Sequence, residues 1–285
     1  MQDFGVILVN KPAGITSFDV IRKLRKITGI KKIGHTGTLD PFATGLLPIC
    51  IGKATRIAEK LSSSTKEYLV TMQFGIKTET GDTEGKIIKQ QNSSAFSKEN
   101  LEEMIPEILE IEEQTPPKYS AVRVNGKRAY ELARKNKEII LQPRPIKITE
   151  FEIIKYDHPK LIYRTVVSKG TYIRVLSETI AEILGTIGTT IELQRSRINH
   201  LDLNMAINLD NINKQNWQNK LIPLPEIFPD FPKKEIADVN IFRNGGFIEV
   251  DVENCTEIMV LSEDGSCLGF AEIEAGILKP RLVFI

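Results

Sequence analysis

Apolar residues recur in this chain with two periods that mix without a regular strand–helix–strand alternation. Between residues 67 and 75, Tyr68, Val70, Met72 and Phe74 fall on one side and Leu69, Thr71 and Gln73 on the other, as in a half-buried strand. Residues 4–9, 161–168 and 189–195 read as further strands. A helix capped by Thr16 or Ser17 carries Val20, Ile21, Leu24 and Ile27 on one face and stops at Gly29. A second, capped by Ser97, turns Leu101, Met104 and Ile105 inward, and Pro106 is expected to end or kink it. A third opens at Gly170 and Thr171, turns Leu176, Ile180 and Ile183 inward and stops at Gly185. The mixture reads as α+β.

At 285 residues, with 41% hydrophobic and 26% charged, the chain is long enough for more than one core, and wholesale disorder is excluded. The apolar run at 46–51 is broken by Pro48 and falls far short of the ~18 residues of a membrane span. The first residues lack a basic region and a cleavage site, so no secretory signal is expected and a cytoplasmic location is. Cys50, Cys255 and Cys267 form no CxxC, against both a disulfide framework and a zinc ribbon.

The formal net charge of +1 hides a segregation. Residues 1–60 hold ten Lys/Arg against four Asp/Glu, residues 118–147 nine against two, and residues 223–285 five against twelve. Two basic segments in a nearly neutral chain point to a polyanion partner. The basic stretch 116–147, with turn residues at both ends and a short helical centre at 129–135, reads as an excursion from the core. Four prolines between residues 223 and 232 predict a stiff linker, and short alternating strands beyond it predict a small β-domain over 223–285.

The stretch GHTGTLDPFATGLLP, residues 34–48, reads as a loop in which three glycines and two prolines surround one carboxylate, Asp40, and one imidazole, His35. Ordering such a loop is costly in entropy, and a rigid loop presenting one Asp suits a nucleophile or general base. By pattern alone, Asp40–Pro41 reads as a turn starter, as Asp-Pro often is. The GK at 52–53 has Leu47 five residues before it and Ala54 after it, so the phosphate-loop spacing fails. His35, His158 and His200 are too scattered for a local metal motif, and HExxH, GxSxG and GxGxxG do not occur. A cofactor-free, metal-free reaction centred on a carboxylate, beside basic segments, is what remains.

KPAGITSFDV, GHTGTLDPFATGLLPICIGKATR, KEYLV, PPKYSAVRVNGKRAYELAR, SKGTYIRVLSE and the strand containing Leu193 follow one another here. In that order they resemble the bacterial TruB family of tRNA pseudouridine synthases over about residues 4–200. The resemblance implies a pseudouridine synthase fold with a mixed central sheet, a catalytic unit over 1–222 with the excursion inserted, and a C-terminal domain similar to PUA modules. It implies isomerisation of the T-loop uridine at position 55 of tRNA, and a monomer that needs no membrane. Guide-RNA-dependent relatives carry a similar loop, but its continuation as FATGLLP and the chain length favour the stand-alone enzyme.

Carried over by position, Asp40 matches the family's nucleophile and Arg174 the arginine that pairs with it. That pairing is expected to hold the Asp40 carboxyl below its ordinary pKa. Tyr68 matches the aromatic against the target base, and Tyr172 and Leu193 match residues of the uracil pocket; by pattern alone Tyr68 and Leu193 are core residues. His35 resembles the wedge that fills the space left by the flipped nucleotide. Lys53 and Arg56, with the excursion, are expected to meet phosphates. The competing reading is a tRNA-binding or folding chaperone without catalysis; a glycosidase that frees uracil is a third.

Overall fold

The computed structural model describes residues 4–284 apart from 125, 136 and 138, so those three positions of the expected excursion lie outside the described residues. Strand β1 (Gly5–Lys11) leads to helix α1 (Ser17–Thr28). Thr16 is the cap: its hydroxyl accepts from the Asp19 amide while the Asp19 carboxylate accepts from the Thr16 amide. Val20, Ile21 and Leu24 are buried, and Gly29 closes the helix at φ 74°.

Strands β2 (Ile33–His35) and β3 (Thr44–Ile51) follow, so the expected loop over 34–48 is a loop only over residues 36–43. The reason is burial on two sides. Ile7 and Val9 of β1, with Leu47, Ile49 and Ile51 of β3, enter one core; Val6 and Leu8, with Leu46 and Cys50, enter a second. Strands buried on both faces read as continuous apolar runs rather than alternating ones. Flanking glycine and proline then hide the strand.

Strand β4 (Lys66–Phe74) is the alternating strand expected from its pattern. Helix α2 (Lys98–Leu109) is capped by Ser97 but runs through Pro106 for a further turn. Ile108 is fully buried beside Leu101 and Met104, and that burial offsets the backbone bond the proline cannot make. Strands β5 (Ile148–Asp157) and β6 (Lys160–Val167), helix α3 (Ile173–Ile183) and strand β7 (Gly188–Ile198) complete the main unit. The central sheet has the order β5–β6–β4–β7–β3–β1, with Ile207–Asn208 at the β1 edge. It is mixed: β7 meets β3 in parallel, while β7–β4, β4–β6 and β1–β3 are antiparallel.

The excursion has its own small fold. A hairpin pairs Arg123–Val124 with Lys127–Arg128 and leads into the short helix Ala129–Ala133. Ala129, Ala133 and Ile139 form its apolar cluster, and Arg144–Pro145 pairs with Glu113–Gln114 at its base.

The C-terminal β-domain is a five-stranded sheet of β8 (Lys233–Glu235), β9 (Ile248–Glu249), β10 (Cys255–Leu261), β11 (Cys267–Glu274) and β12 (Ile277–Val283), in the order β8–β10–β11–β12–β9. The proline-rich stretch before it does not run free as a spacer. It forms the helix Leu224–Ile227, whose Leu224 and Ile227 are buried with Val6, Leu46, Met259 and Phe270 in the second core. Its prolines stiffen the chain, and the apolar residues between them dock it.

Gly45 opens β3 at φ 105°, opposite Arg195 of β7, where an added Cβ would lie 2.3 Å from the Arg195 carbonyl oxygen. Gly45→Ala is expected to cost about 3 kcal/mol or more of stability. Denaturant unfolding checks this; an unchanged midpoint would show that the β3–β7 contact is loose.

Candidate active site

Asp40 sits in the 36–43 loop, and that loop is held by side chains from outside it. The buried Lys11 ammonium donates to the carbonyls of Pro12 and Ile15, each at 2.8 Å, and of Pro41 at 3.2 Å. The Gly14 amide donates to the Pro41 carbonyl at 2.8 Å. Ser17 Oγ accepts from the Leu39 amide at 2.9 Å and donates to the Leu39 carbonyl at 3.2 Å. Arg195, 1% exposed, donates through Nε to the Leu46 carbonyl at 2.8 Å and through Nη2 to that of Gly37 at 3.1 Å. The rigid platform expected from the loop's composition is present, built by residues on β1, α1 and β7.

Arg174 reaches Asp40 from the first turn of α3. Its Nε donates to Asp40 Oδ2 at 2.8 Å and its Nη2 to Oδ1 at 3.3 Å. The guanidinium is 4% exposed and makes three further contacts: the Thr80 carbonyl at 2.5 Å, the Tyr119 carbonyl at 2.9 Å, and Asp82 Oδ2 at 3.5 Å. One buried cation therefore joins the Asp40 loop, the 80–82 segment and the root of the excursion.

The expectation that pairing lowers the Asp40 pKa is corrected by this geometry. Burial pushes Asp40 above its ordinary value, Arg174 opposes the rise, and the charge of Asp82 adds to it. The guanidinium is shared between two carboxylates, so it does not cancel the cost of taking Asp40 out of water. Burial lowers Lys11 to about 8, while Asp40 pulls it the other way.

Tyr68 is buried on β4 between Thr165 of β6 and Arg195 of β7, and Leu193 of β7 lies opposite Val70. Both belong to the same apolar core as Leu39, the residue before Asp40. Tyr172 precedes α3, where Gln114 accepts from its amide at 2.7 Å and donates to its carbonyl at 3.1 Å. Burial raises the Tyr172 hydroxyl, and the Asp40 charge raises it further. His35 ends β2 with Nδ1 buried and unpartnered; burial and the charges of Arg195 and Arg128 hold the ring below its usual range.

Lys53 and Arg56 are not brought to Asp40. They follow the far end of β3, where Arg56 donates to the Val283 carbonyl at 2.7 Å and Lys53 lies over the Phe4 ring. Sequence reasoning missed Lys11, Asp82, Gln114 and Arg195. A lysine ending an apolar strand just before Pro12 is a local sign of the first; the others act across long stretches of chain.

The fold that carries this site is shared with solved structures. A chain of an H/ACA RNP bound to a substrate RNA containing 2'-deoxyuridine matches with a TM-score of 0.73 at 21% identity, covering 99% of this chain and 86% of that one. A chain of a Cbf5-Nop10-Gar1 complex matches at 0.72 and 22% identity, over 99% and 85%. Residues 25–173 match the TruB family pseudouridylate synthase N-terminal domain. A Clostridium tetani protein named tRNA pseudouridine synthase B is 40% identical over 243 residues, 85% of this chain and 84% of that protein. An Oenococcus oeni protein of the same name is 38% identical over 296 residues, 99% of this chain and 98% of its own length. The chain belongs to the TruB family of pseudouridylate synthases.

If the ionised Asp40 carboxylate is the working form, activity is expected to fall as pH drops through its raised pKa. The acid limb of kcat/KM is expected above the ordinary aspartate value. Arg174→Met removes the opposing charge and should move the limb to higher pH; Asp82→Asn removes a like charge and should move it lower. An acid limb that stays put in both variants would separate it from Asp40.

Proposed function

We propose that the cleft around Asp40 isomerises the T-loop uridine at position 55 of tRNA to pseudouridine. The reaction class, uridine to pseudouridine in tRNA, follows from membership of the family and from relatives named tRNA pseudouridine synthase B. The observation that carries the site assignment is Asp40 clamped by the buried Arg174 on a loop tied down by Lys11, Ser17 and Arg195.

The reaction breaks the N1–C1′ bond, turns the detached uracil and joins C5 to C1′; the C5 proton leaves and N1 regains one. It is redox-neutral and needs no metal or organic cofactor. An ionised Asp40 serves by attacking covalently or by stabilising positive charge on the sugar. Arg174 keeps it aimed and ionised, Tyr68 lies against the base and helps remove the C5 proton, and Tyr172 and Leu193 line the uracil pocket. The uridine must leave its stack, at a cost of a few kcal/mol. The ring of His35, kept neutral by its surroundings, fills the gap and returns part of that cost.

The excursion, residues 116–147, holds RNA phosphates with exposed residues such as Lys127 and Arg128, and Lys53 and Arg56 extend the contact. Residues 1–222 act as the catalytic unit. Residues 223–285, with an excess of acidic groups, act as a PUA-like domain that supports the fold more than it grips RNA. The protein works as a monomer in the cytoplasm; among the described residues no helix is long and apolar enough to cross a membrane.

The test is tritium release from T-arm RNA labelled at uracil C5. The wild type is expected to release tritium with RNA mass conserved, and Asp40→Asn to release none. Free uracil would identify a glycosidase, and tight binding without release would leave the chaperone reading. Neutralising Lys127 and Arg128 together should weaken binding and lower the slope of log K against log salt by between about one and two, with single-turnover chemistry at saturation little changed. An unchanged slope would remove the excursion's phosphate role.

A further inference from the structure

Tyr172 stands where α3 begins, yet it brings no cap of its own: its side chain makes no capping hydrogen bond, and its backbone is still extended, at φ −96° and ψ 110°. What fixes it comes from 58 residues earlier. The Gln114 side chain accepts through Oε1 from the Tyr172 amide at 2.7 Å and donates through Nε2 to the Tyr172 carbonyl at 3.1 Å. A primary amide is planar, and both of its ends close here on one residue, as a paired strand would. This pairing sets the direction in which the Tyr172 side chain leaves the main chain. The Tyr172 carbonyl also takes the Leu176 amide at 3.0 Å, so the same clamp fixes where α3 starts.

The Gln114 side chain is not needed to close the excursion. Glu113–Gln114 pairs with Arg144–Pro145 through main chain, and the Ile146 amide donates to the Glu112 carbonyl at 2.8 Å. Among the described residues, the side-chain hydrogen bonds of Gln114 go to Tyr172 alone. The residue is buried, where a methionine would fill similar space without an amide to satisfy. Arg174, two residues beyond Tyr172, is held independently by Asp40 and by the Thr80 and Tyr119 carbonyls. The buried amide therefore acts on Tyr172 and not on the Asp40–Arg174 pair.

We propose that Gln114 is a positioning residue of the isomerisation: by clamping both backbone groups of Tyr172 it holds the Tyr172 ring at the wall of the uracil pocket, and so speeds conversion of bound RNA without adding to its binding. This rests on the reading given above, in which Tyr172 lines that pocket. The detached uracil must turn until C5 faces C1′, and a wall free to swing admits orientations that do not react. A misplacement of about 1 Å can cost about a hundredfold in rate.

The experiment compares the full chain with Gln114→Met, which keeps the buried volume and loses both hydrogen bonds, on T-arm RNA labelled with tritium at uracil C5. Single-turnover release at saturating RNA is expected to slow by roughly tenfold to a hundredfold. Kd for the RNA should match the wild type, and so should the acid limb of the pH profile, because the partners of Asp40 and Arg174 are untouched. Gln114→Glu keeps the shape and the acceptor but loses the donor to the Tyr172 carbonyl; its rate should fall as well, which keeps the test decisive if Gln114→Met does not fold. Wild-type release by either folded variant would overturn the assignment. A raised Kd with unchanged release at saturation would make Gln114 part of the RNA grip, and a displaced acid limb in Gln114→Met would route its effect through Asp40; either result overturns the role through Tyr172. A wild type that binds the RNA but releases no tritium defeats the catalytic reading itself, so the two failures are distinct.

Discussion

The buried guanidinium of Arg174 is the contact on which the site depends. Taking a charge out of water costs several kcal/mol unless its partners are close and well aimed. Arg174 meets that demand with Asp40, Asp82 and the carbonyls of Thr80 and Tyr119. The partners come from separate parts of the chain, so satisfying one cation fixes the catalytic loop against the 80–82 segment and the root of the excursion. The same sharing sets the electrostatics. One positive charge faces two carboxylates in a desolvated pocket, and Asp40 is left more basic than an ordinary aspartate.

The loop presenting Asp40 has little means of holding itself. Leu39 and Ala43 anchor it in the core with Phe42 packed beside them, and the rest of its order comes from groups that reach its backbone from outside. Lys11 and Gly14 take the Pro41 carbonyl, Ser17 takes both backbone groups of Leu39, and Arg195 takes the Gly37 carbonyl. Each of these tethers ends on main chain, which leaves the Asp40 carboxylate to Arg174. Two of the tethers are buried cations, which binds stability to function: losing either leaves carbonyls unpaired beneath the site.

What could be read from the sequence follows the range of each interaction. The caps of α1 and α2 are legible because Thr16 with Asp19, and Ser97 with Asn100, act within one turn. The α+β class and β4 are legible from periodicity. The pairing of Asp40 with Arg174 spans 134 residues and entered only through family resemblance. Arg195 reaches Gly37 across 158 residues and Gln114 reaches Tyr172 across 58, with no local trace. The sign of the Asp40 shift is not legible in the sequence, because burial and a second carboxylate on the same guanidinium are properties of the fold.

The acidic C-terminal domain fits the same physical picture. Val6, Leu8, Leu46 and Cys50 form the second face of β1 and β3, and Met259, Leu261, Cys267, Phe270 and Phe284 join them in one apolar core. Arg56 donates to the Val283 carbonyl at that seam. Without this cover, two strands of the central sheet would expose Val6, Leu8, Leu46 and Cys50 to water, and one of them, β3, begins where the Asp40 loop ends. A domain with twelve acidic groups against five basic ones is poorly suited to attract a polyanion, yet its charge is no obstacle to covering a sheet. Its apolar side secures the strands that carry the loop, and the basic segments of the chain lie elsewhere, in the first 60 residues and in the excursion.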